Sequence, residues 1–260
     1  MLSVNNLLKP QDGKPVTVPT QDMILGAYYL TMEVPGEPGE GGYYSSPEEA
    51  IMANVNHDLG MHAMVNVKIT KTIDGEEKSK FVKTTVGRLI YNEGIPQDLG
   101  FVDRSKEENL FDLEIDFPVI KKNLGKIVAK CVNVHGLSKT AEVLDYIKAL
   151  GFKYSTKGAV TVSVSDVAVP EAKKEILAKA EKEVEEVLKQ FKRGLITEEE
   201  RYLATIKIWE KVTNDVTEAM KANFDDLNPI YMMAQSGARR KYEPGKTNCR
   251  YERTYGKYIW

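Results

Sequence analysis

Residues 170–223 read PEAKKEILAKAEKEVEEVLKQFKRGLITEEERYLATIKIWEKVTNDVTEAMKAN, and their spacing decides the fold. Ile176, Leu177, Ala180, Val184, Val187, Leu188 and Phe191 recur at helical spacing between Pro170 and Lys192, which predicts an amphipathic helix about 35 Å long at 1.5 Å per residue. Gly194 breaks it. Thr197 with Glu200 supplies a capping box, and Tyr202, Leu203, Ile206, Trp209, Val212, Val216 and Met220 lay a second apolar stripe. Two long helices joined by so short a connection run antiparallel. The expectation is a projecting hairpin, Val169–Lys192 and Glu198–Asn223, turning near Gly194. Its facing stripes, with Leu188 and Trp209 among them, are expected to be buried, and its outside carries Lys and Glu at pair-forming spacing.

Upstream, the elements are shorter. Turn residues Pro10–Gly13 precede a brief alternating strand, Pro15–Val18, and then an apolar run suited to a helix. The segment 36–42 (GEPGEGG) is a turn-rich loop. Ser46, Pro47 and Glu49 make a helix start, with a capping serine, proline at the first helical position and a carboxylate three residues after the cap. Ala63, Val65, Val67 and Ile69 alternate with their neighbours, Asp74-Gly75 turns the chain, and Lys80–Val86 returns as a second strand, so a β-hairpin is expected. Residues 127–150 read as a short extended segment and a helix stopped by Gly151, and Val160, Val162 and Val164 as one more short strand. The fold class expected is α+β: a small mixed β platform with helices plus a long antiparallel helical hairpin.

The composition is that of a globular protein, 42% hydrophobic and 28% charged in 260 residues. Apolar runs such as Met23–Leu30 fall well short of the roughly 20 residues a membrane span needs, and no basic-then-apolar leader follows Met1, so a cytoplasmic protein is expected. Cys131 and Cys249 are read as free thiols. A formal charge of −2 gives no overall attraction for nucleic acid, so any such contact must come from a local patch or a larger assembly.

Self-contained chemistry is hard to find. His57, His62 and His135 are scattered, none with a partner at metal-ligand spacing, and structural or surface roles are expected for them. No nucleophile has a base beside it, which leaves a small hydrolase built on His57 or His135 without support. The run Pro244-Gly245-Lys246-Thr247 lacks the upstream glycine of a phosphate-binding loop, Arg240 standing in its place. Read alone, the residues give a cytoplasmic α+β protein with a protruding hairpin and no self-contained active site, which leaves open a free-standing coiled-coil hairpin that binds a protein partner.

Five segments carry a resemblance. Residues 1–31 (MLSVNNLLKPQDGKPVTVPTQDMILGAYYLT), 39–51 (GEGGYYSSPEEAI), 83–96 (KTTVGRLIYNEGIP), 151–170 (GFKYSTKGAVTVSVSDVAVP) and 228–239 (NPIYMMAQSGAR) resemble, in order, the beta-prime subunit of bacterial DNA-directed RNA polymerase. The first resembles the stretch following the family's NADFDGD loop, whose aspartates hold the catalytic Mg2+; that loop lies upstream of Met1, and the family's bridge helix and trigger loop lie downstream of Trp260. The resemblance implies that residues 1–24 end the catalytic double-psi barrel region, that 25–150 form the pore region, and that 151–239 form the funnel with its rim-helix hairpin at the secondary channel. It implies a nucleotidyltransferase fragment that is inactive alone, with Mg2+ needed only in the parent enzyme and no ligand to it here. The implied partners are the beta, alpha, omega and sigma subunits, DNA template and RNA, and channel factors that dock on the rim.

Two side chains carry over to the neighbourhood of the nucleotide, Gln21 in VPTQDM and Arg239 in SGAR. A glutamine can hydrogen-bond sugar or phosphate, and an arginine can pair a phosphate bidentately. The alternative for Gln21 is a strand-end residue capping the next helix. The factor-docking rim is expected at Lys192, Arg193, Glu198, Glu199 and Glu200.

Residues 240–260 (RKYEPGKTNCRYERTYGKYIW) depart from the family, which continues with a segment of the form QVRQLAGMRGLMAN. A permitted back-translation of this tail, with its first base removed, reads GNMNQVRQTAGMRGLMANIS. The tail is therefore expected to be a frameshifted, non-native reading with no packing of its own.

Overall fold

The computed structural model describes residues 6–73, 76–106, 109–166 and 169–239. They form the α+β architecture expected, and by contact they divide into two compact units, one holding residues up to Val160 together with the segment from Met232, the other holding Thr161–Tyr231.

In the first unit, α1 (Asp22–Thr31) forms on the predicted apolar run, burying Ile24, Leu25, Ala27, Tyr28 and Leu30. The two-residue strand β1 (Tyr43–Tyr44) leads into α2 (Pro47–Val55), where the Ser46 hydroxyl accepts the Glu49 N–H at 3.2 Å and Pro47 opens the helix. The hairpin follows: β2 (Met64–Ile73) and β3 (Glu76–Thr85) pair antiparallel from Met64↔Thr85 to Ile73↔Glu76, and β1 pairs parallel to β2 at its other edge. Ala63, Val65, Val67 and Ile69 are all buried, as the alternation implies. The predicted Asp74-Gly75 turn lies outside the described residues.

One face of the sheet is covered by α2 and α3 (Val86–Glu93), whose Ala50, Val86 and Leu89 meet Val65 and Val67 in one cluster. The larger core forms where α1 packs on α4 (Lys121–Gly158), with Ile24, Leu30, Tyr91, Ile115, Leu124, Ile127 and Ile147 enclosed. Cys131 is a buried free thiol in that core, whereas Cys249 lies outside the described residues. Arg88 ties the layers together. Its buried guanidinium donates to the Thr31 carbonyl at 3.2 Å and to Asp116 at 3.1 Å and pairs with Glu33.

Several sequence-based expectations fail here, each for an identifiable reason. Pro15–Val18 makes only an isolated bridge, Leu8↔Pro15, since Pro15 and Pro19 bring no N–H to a ladder. The second strand ends at Thr85, whose side chain caps α3 by accepting the Arg88 N–H, so Val86 is helical. Ile127 is helical too, because α4 starts at Lys121 and accommodates its irregularity as a kink at Gly136, φ 74°. Gly151 does not end that helix; it sits inside it, against Met23. Val162 and Val164 form no strand: they are 57% and 91% exposed, and Val164–Asp166 is a single 3-10 turn in which the Asp166 carboxylate accepts the Ser163 N–H.

The second unit is the predicted hairpin. Helices α5 (Ala172–Lys192) and α6 (Glu198–Asn223) pack on one another; α6 has the expected ends, whereas α5 starts at Ala172 and not Val169, with Pro170 and the N-cap Glu171 standing before its first turn, and the Thr197–Glu200 capping box is present. Burial along the stripes is thinner than expected. Ala180, Val212 and Thr217 are enclosed, but Leu188 and Trp209 are 37% and 41% exposed, because two helices alone cannot surround a side chain that lies at the margin of their seam.

Candidate functional site

The candidate site residues fall in two places. Gln21 and Arg239 lie close in sequence to the ends of a single apolar cluster of the first unit, in which Leu25 and Tyr28 from α1 and Met32 just after it meet Met232, Met233 and Ala238. Gln21 immediately precedes α1 with φ 49° and ψ −117°, a region a side-chain-bearing residue rarely occupies, and such outliers collect at functional positions. Its carbonyl accepts the Ile24 and Leu25 N–H groups at 3.0 and 3.1 Å. Gln21 is thus the N-cap residue of α1, as the alternative has it, but through its backbone alone: its side chain makes no capping bond and is exposed.

Arg239 is reached through the short helix α7 (Pro229–Gln235), started by the Asn228 side chain, which accepts the Ile230 N–H at 3.0 Å. Beyond α7 the buried Ser236 fixes the chain: its carbonyl accepts the Lys121 N–H at 3.0 Å and its hydroxyl accepts the Ala238 N–H at 3.3 Å. Ala238 packs into the cluster. Arg239 follows with an exposed side chain, its position set by the buried Ser236 and the half-buried Ala238 on either side of Gly237. A fixed backbone with a free guanidinium is suited to grasping an anion.

The residues expected at a factor-docking rim lie at the tip of the hairpin. Lys192 ends α5, Arg193 caps it, Gly194 turns with φ 72°, and Glu198, Glu199 and Glu200 open α6, all exposed. Arg201 organises this tip, pairing with Glu198 and placing its guanidinium 5.4 Å from the Phe191 ring. Hydrogen bonding from Arg201 draws the Glu198 carboxyl below its usual value, and the Thr197 N–H does the same for Glu200, at 2.8 Å. Lys192, Arg193 and Glu199 are exposed beside them, so the tip carries charges of both signs around a restrained acidic pair.

The histidines are divided. His57 is exposed with φ 66°, His135 bonds Asp98 at 2.6 Å on the surface, and His62 is buried against Tyr29. Among the described residues no group of three or more His, Cys, Asp or Glu side chains is placed to hold a metal ion. No helix among the described residues is long and apolar enough to cross a membrane. Sequence reasoning missed α3 and the Arg88 anchor; its partners Glu33 and Asp116 are too distant in sequence for spacing to reveal them.

The RNA polymerase Rpb1 domain 3 pattern matches residues 6–167, and the chain belongs to that family. Among curated proteins it is 58% identical over 239 residues to the DNA-directed RNA polymerase subunit beta' of Thermoanaerobacter pseudethanolicus. It is 55% identical to that of Acetivibrio thermocellus and 54% to that of Clostridium botulinum, in each case over 92% of this chain. The chain spans about a fifth of the length of these relatives, 20% in each case.

Proposed function

We propose that the chain is the pore and funnel segment of a bacterial beta-prime subunit and serves DNA-templated RNA synthesis from nucleoside triphosphates as part of the assembled cytoplasmic enzyme. The observation that carries this reading is identity of 53–58% to beta' subunits across 92% of the chain, the β platform and core helices included, which favours it over a free-standing hairpin module. In this reading residues 1–24 adjoin the catalytic barrel, 25–150 line the pore, and 151–239 form the funnel with its rim hairpin. Gln21 and Arg239 face nucleotide sugar or phosphate, and the tip at Lys192, Arg193 and Glu198–Glu200 receives channel factors. Magnesium, the other polymerase subunits, template and transcript belong to the whole assembly, and the segment alone is inactive because the metal ligands lie in another part of the subunit. The segment 240–260 is a frameshifted reading, outside the described residues.

The test is a chimera. Residues 6–239 replace the matching segment of the Acetivibrio thermocellus subunit, and the reconstituted enzyme is assayed for template-directed RNA synthesis. Activity close to the parent enzyme is expected, with none from the isolated chain. A chimera that assembles with its partner subunits yet makes no RNA overturns the proposal.

A further inference from the structure

The sheet has one face covered by α2 and α3 and one face open. Register fixes what the open face carries. Tyr43 pairs with Asn66, Lys68 with Phe81, Thr70 with Ser79 and Asn66 with Lys83, so these side chains project together, on the side opposite buried Val65, Val67 and Val82. Tyr43 and Phe81 are 73% and 49% exposed and meet edge to face with centroids 5.5 Å apart. A solvent-facing pair of aromatic rings is costly to leave in water and asks for a ligand.

The surroundings of the pair indicate which ligand. Lys68 stands across from Phe81 and Lys83 one pair along, and among the described residues neither lysine makes an ion pair. Protein interfaces are depleted in lysine at their centres and gain their energy from a dry apolar core, which this face lacks. Exposed rings with flanking lysines and hydroxyls on an open sheet are what single-stranded nucleic acid uses: bases stack on the rings, cations track phosphates, and Thr70 and Ser79 can bond sugar or phosphate oxygens. The single carboxylate among the described side chains of this face, Glu77, lies at its far end, opposite Thr72. The chain's net charge of −2 is no obstacle, since the patch is local.

The geometry points to the open face of the β1–β2–β3 sheet, centred on Tyr43 and Phe81 with Lys68 and Lys83, as a binding platform for a short stretch of single-stranded nucleic acid. The platform stands on the sheet alone and is independent of the polymerase reading, since the assay below uses no polymerase activity.

Fluorescence anisotropy of labelled oligouridylate, titrated with the full chain at low salt, tests it. Saturable binding in the micromolar range is expected. Tyr43→Ala and Phe81→Ala should each weaken it by roughly five-fold or more. Lys68→Gln and Lys83→Gln should each lower the slope of log affinity against log salt by about 0.7. Tyr43 is so exposed that its removal leaves the core intact, and unchanged thermal unfolding of Tyr43→Ala verifies this. Absence of saturable binding overturns the proposal. So does binding that all four substitutions leave unchanged, and so does equal competition by polyglutamate, which would assign the face to an acidic protein segment.

Discussion

Gly26 of α1 and Gly151 of α4 touch backbone to backbone: a Cβ built on Gly26 would lie 1.9 Å from the Gly151 carbonyl oxygen, and one on Gly151 would lie 2.6 Å from the Met23 carbonyl oxygen. The helices cross this closely because neither has a side chain at the contact, and the crossing brings Ile24 and Leu30 against Ile147 and Leu150. Gly26→Ala must force them apart. It should destabilise the chain by about 3 kcal/mol, the upper end of overpacking costs. Gly125→Ala, also on α4 but with nothing within 4 Å of the new methyl, should be neutral or stabilise by up to about 1 kcal/mol. Urea denaturation of both variants is the check, and equal midpoints would refute the close crossing.

Gly151 shows how far the sequence could be read. A glycine after an apolar helical run is a sound stop signal taken locally, but only the partner helix reveals it as a crossing point. The same limit applies to Val160–Val164, where alternation suggests a strand but no strand among the described residues pairs with it. Readings that rest on local chemistry survive in full: the Ser46 cap, the Thr197–Glu200 box, and the alternation of β2 over Ala63–Ile69. Gln21 and Arg239 were legible only through resemblance, since nothing in their spacing links residues so far apart. Arg88 and the Tyr43–Phe81 pair were not legible, because both depend on strand register and helix packing across long separations.

His62 makes stability depend on pH. Its imidazole is 4% exposed, neither ring nitrogen has a hydrogen-bond partner among the described residues, and the Tyr29 ring meets it edge-on at 4.7 Å. Burial pushes its pKa below the ordinary 6.5, against the opposing pull of the nearby Glu37 carboxylate. The unfolded chain therefore takes up a proton at a pH where the folded chain does not. This contribution is absent well above pH 6.5 and destabilises the fold progressively as pH drops through and below 6.5. The added slope cannot exceed about 1.4 kcal/mol per pH unit, the value for one whole proton. His62→Phe should remove that slope while retaining the ring contact. Stability-pH curves for the two proteins that run parallel between neutral pH and the carboxylate range would show that His62 is not responsible.

The hairpin seam is narrow, and its two kinds of apolar position should respond differently to truncation. Val212 is enclosed at 8% exposure, so Val212→Ala loses about 2 kcal/mol as removed methyls and residual cavity add. Leu188, 37% exposed, still buries most of its surface, but water can fill the space it vacates. Leu188→Ala should cost about 1–2 kcal/mol, below the 2–5 kcal/mol of an enclosed leucine. Differential scanning calorimetry measures both losses. A loss at Leu188 larger than at Val212 would mean that the seam is wider in solution than the packing of α5 on α6 implies.

Gln21 and Arg239 offer the sharpest test of the proposed role, because their side chains do so little for the fold. Gln21 makes no side-chain capping bond, its carbonyl anchors α1 through Ile24 and Leu25, and the Arg239 side chain is exposed beyond the fixed Ser236–Ala238 turn. Alanine at either position should therefore leave the unfolding midpoint of the chain within about 0.5 kcal/mol of wild type, as surface substitutions do. In a polymerase reconstituted with this segment the same substitutions should act on the substrate. An arginine lost from a phosphate contact removes a charge-assisted hydrogen bond of about 1.5–3 kcal/mol, which corresponds to roughly ten-fold or more in nucleotide addition or transcript cleavage. Gln21→Ala should have a smaller effect, since it loses a neutral bond of about 1 kcal/mol. Arg239→Lys distinguishes the contact: it keeps the charge but not the planar fork, so partial recovery is expected, with the remaining defect in the apparent affinity for nucleotide. Unchanged rates for both alanine variants, measured in single-nucleotide extension by the assembled enzyme, would remove these residues from the site.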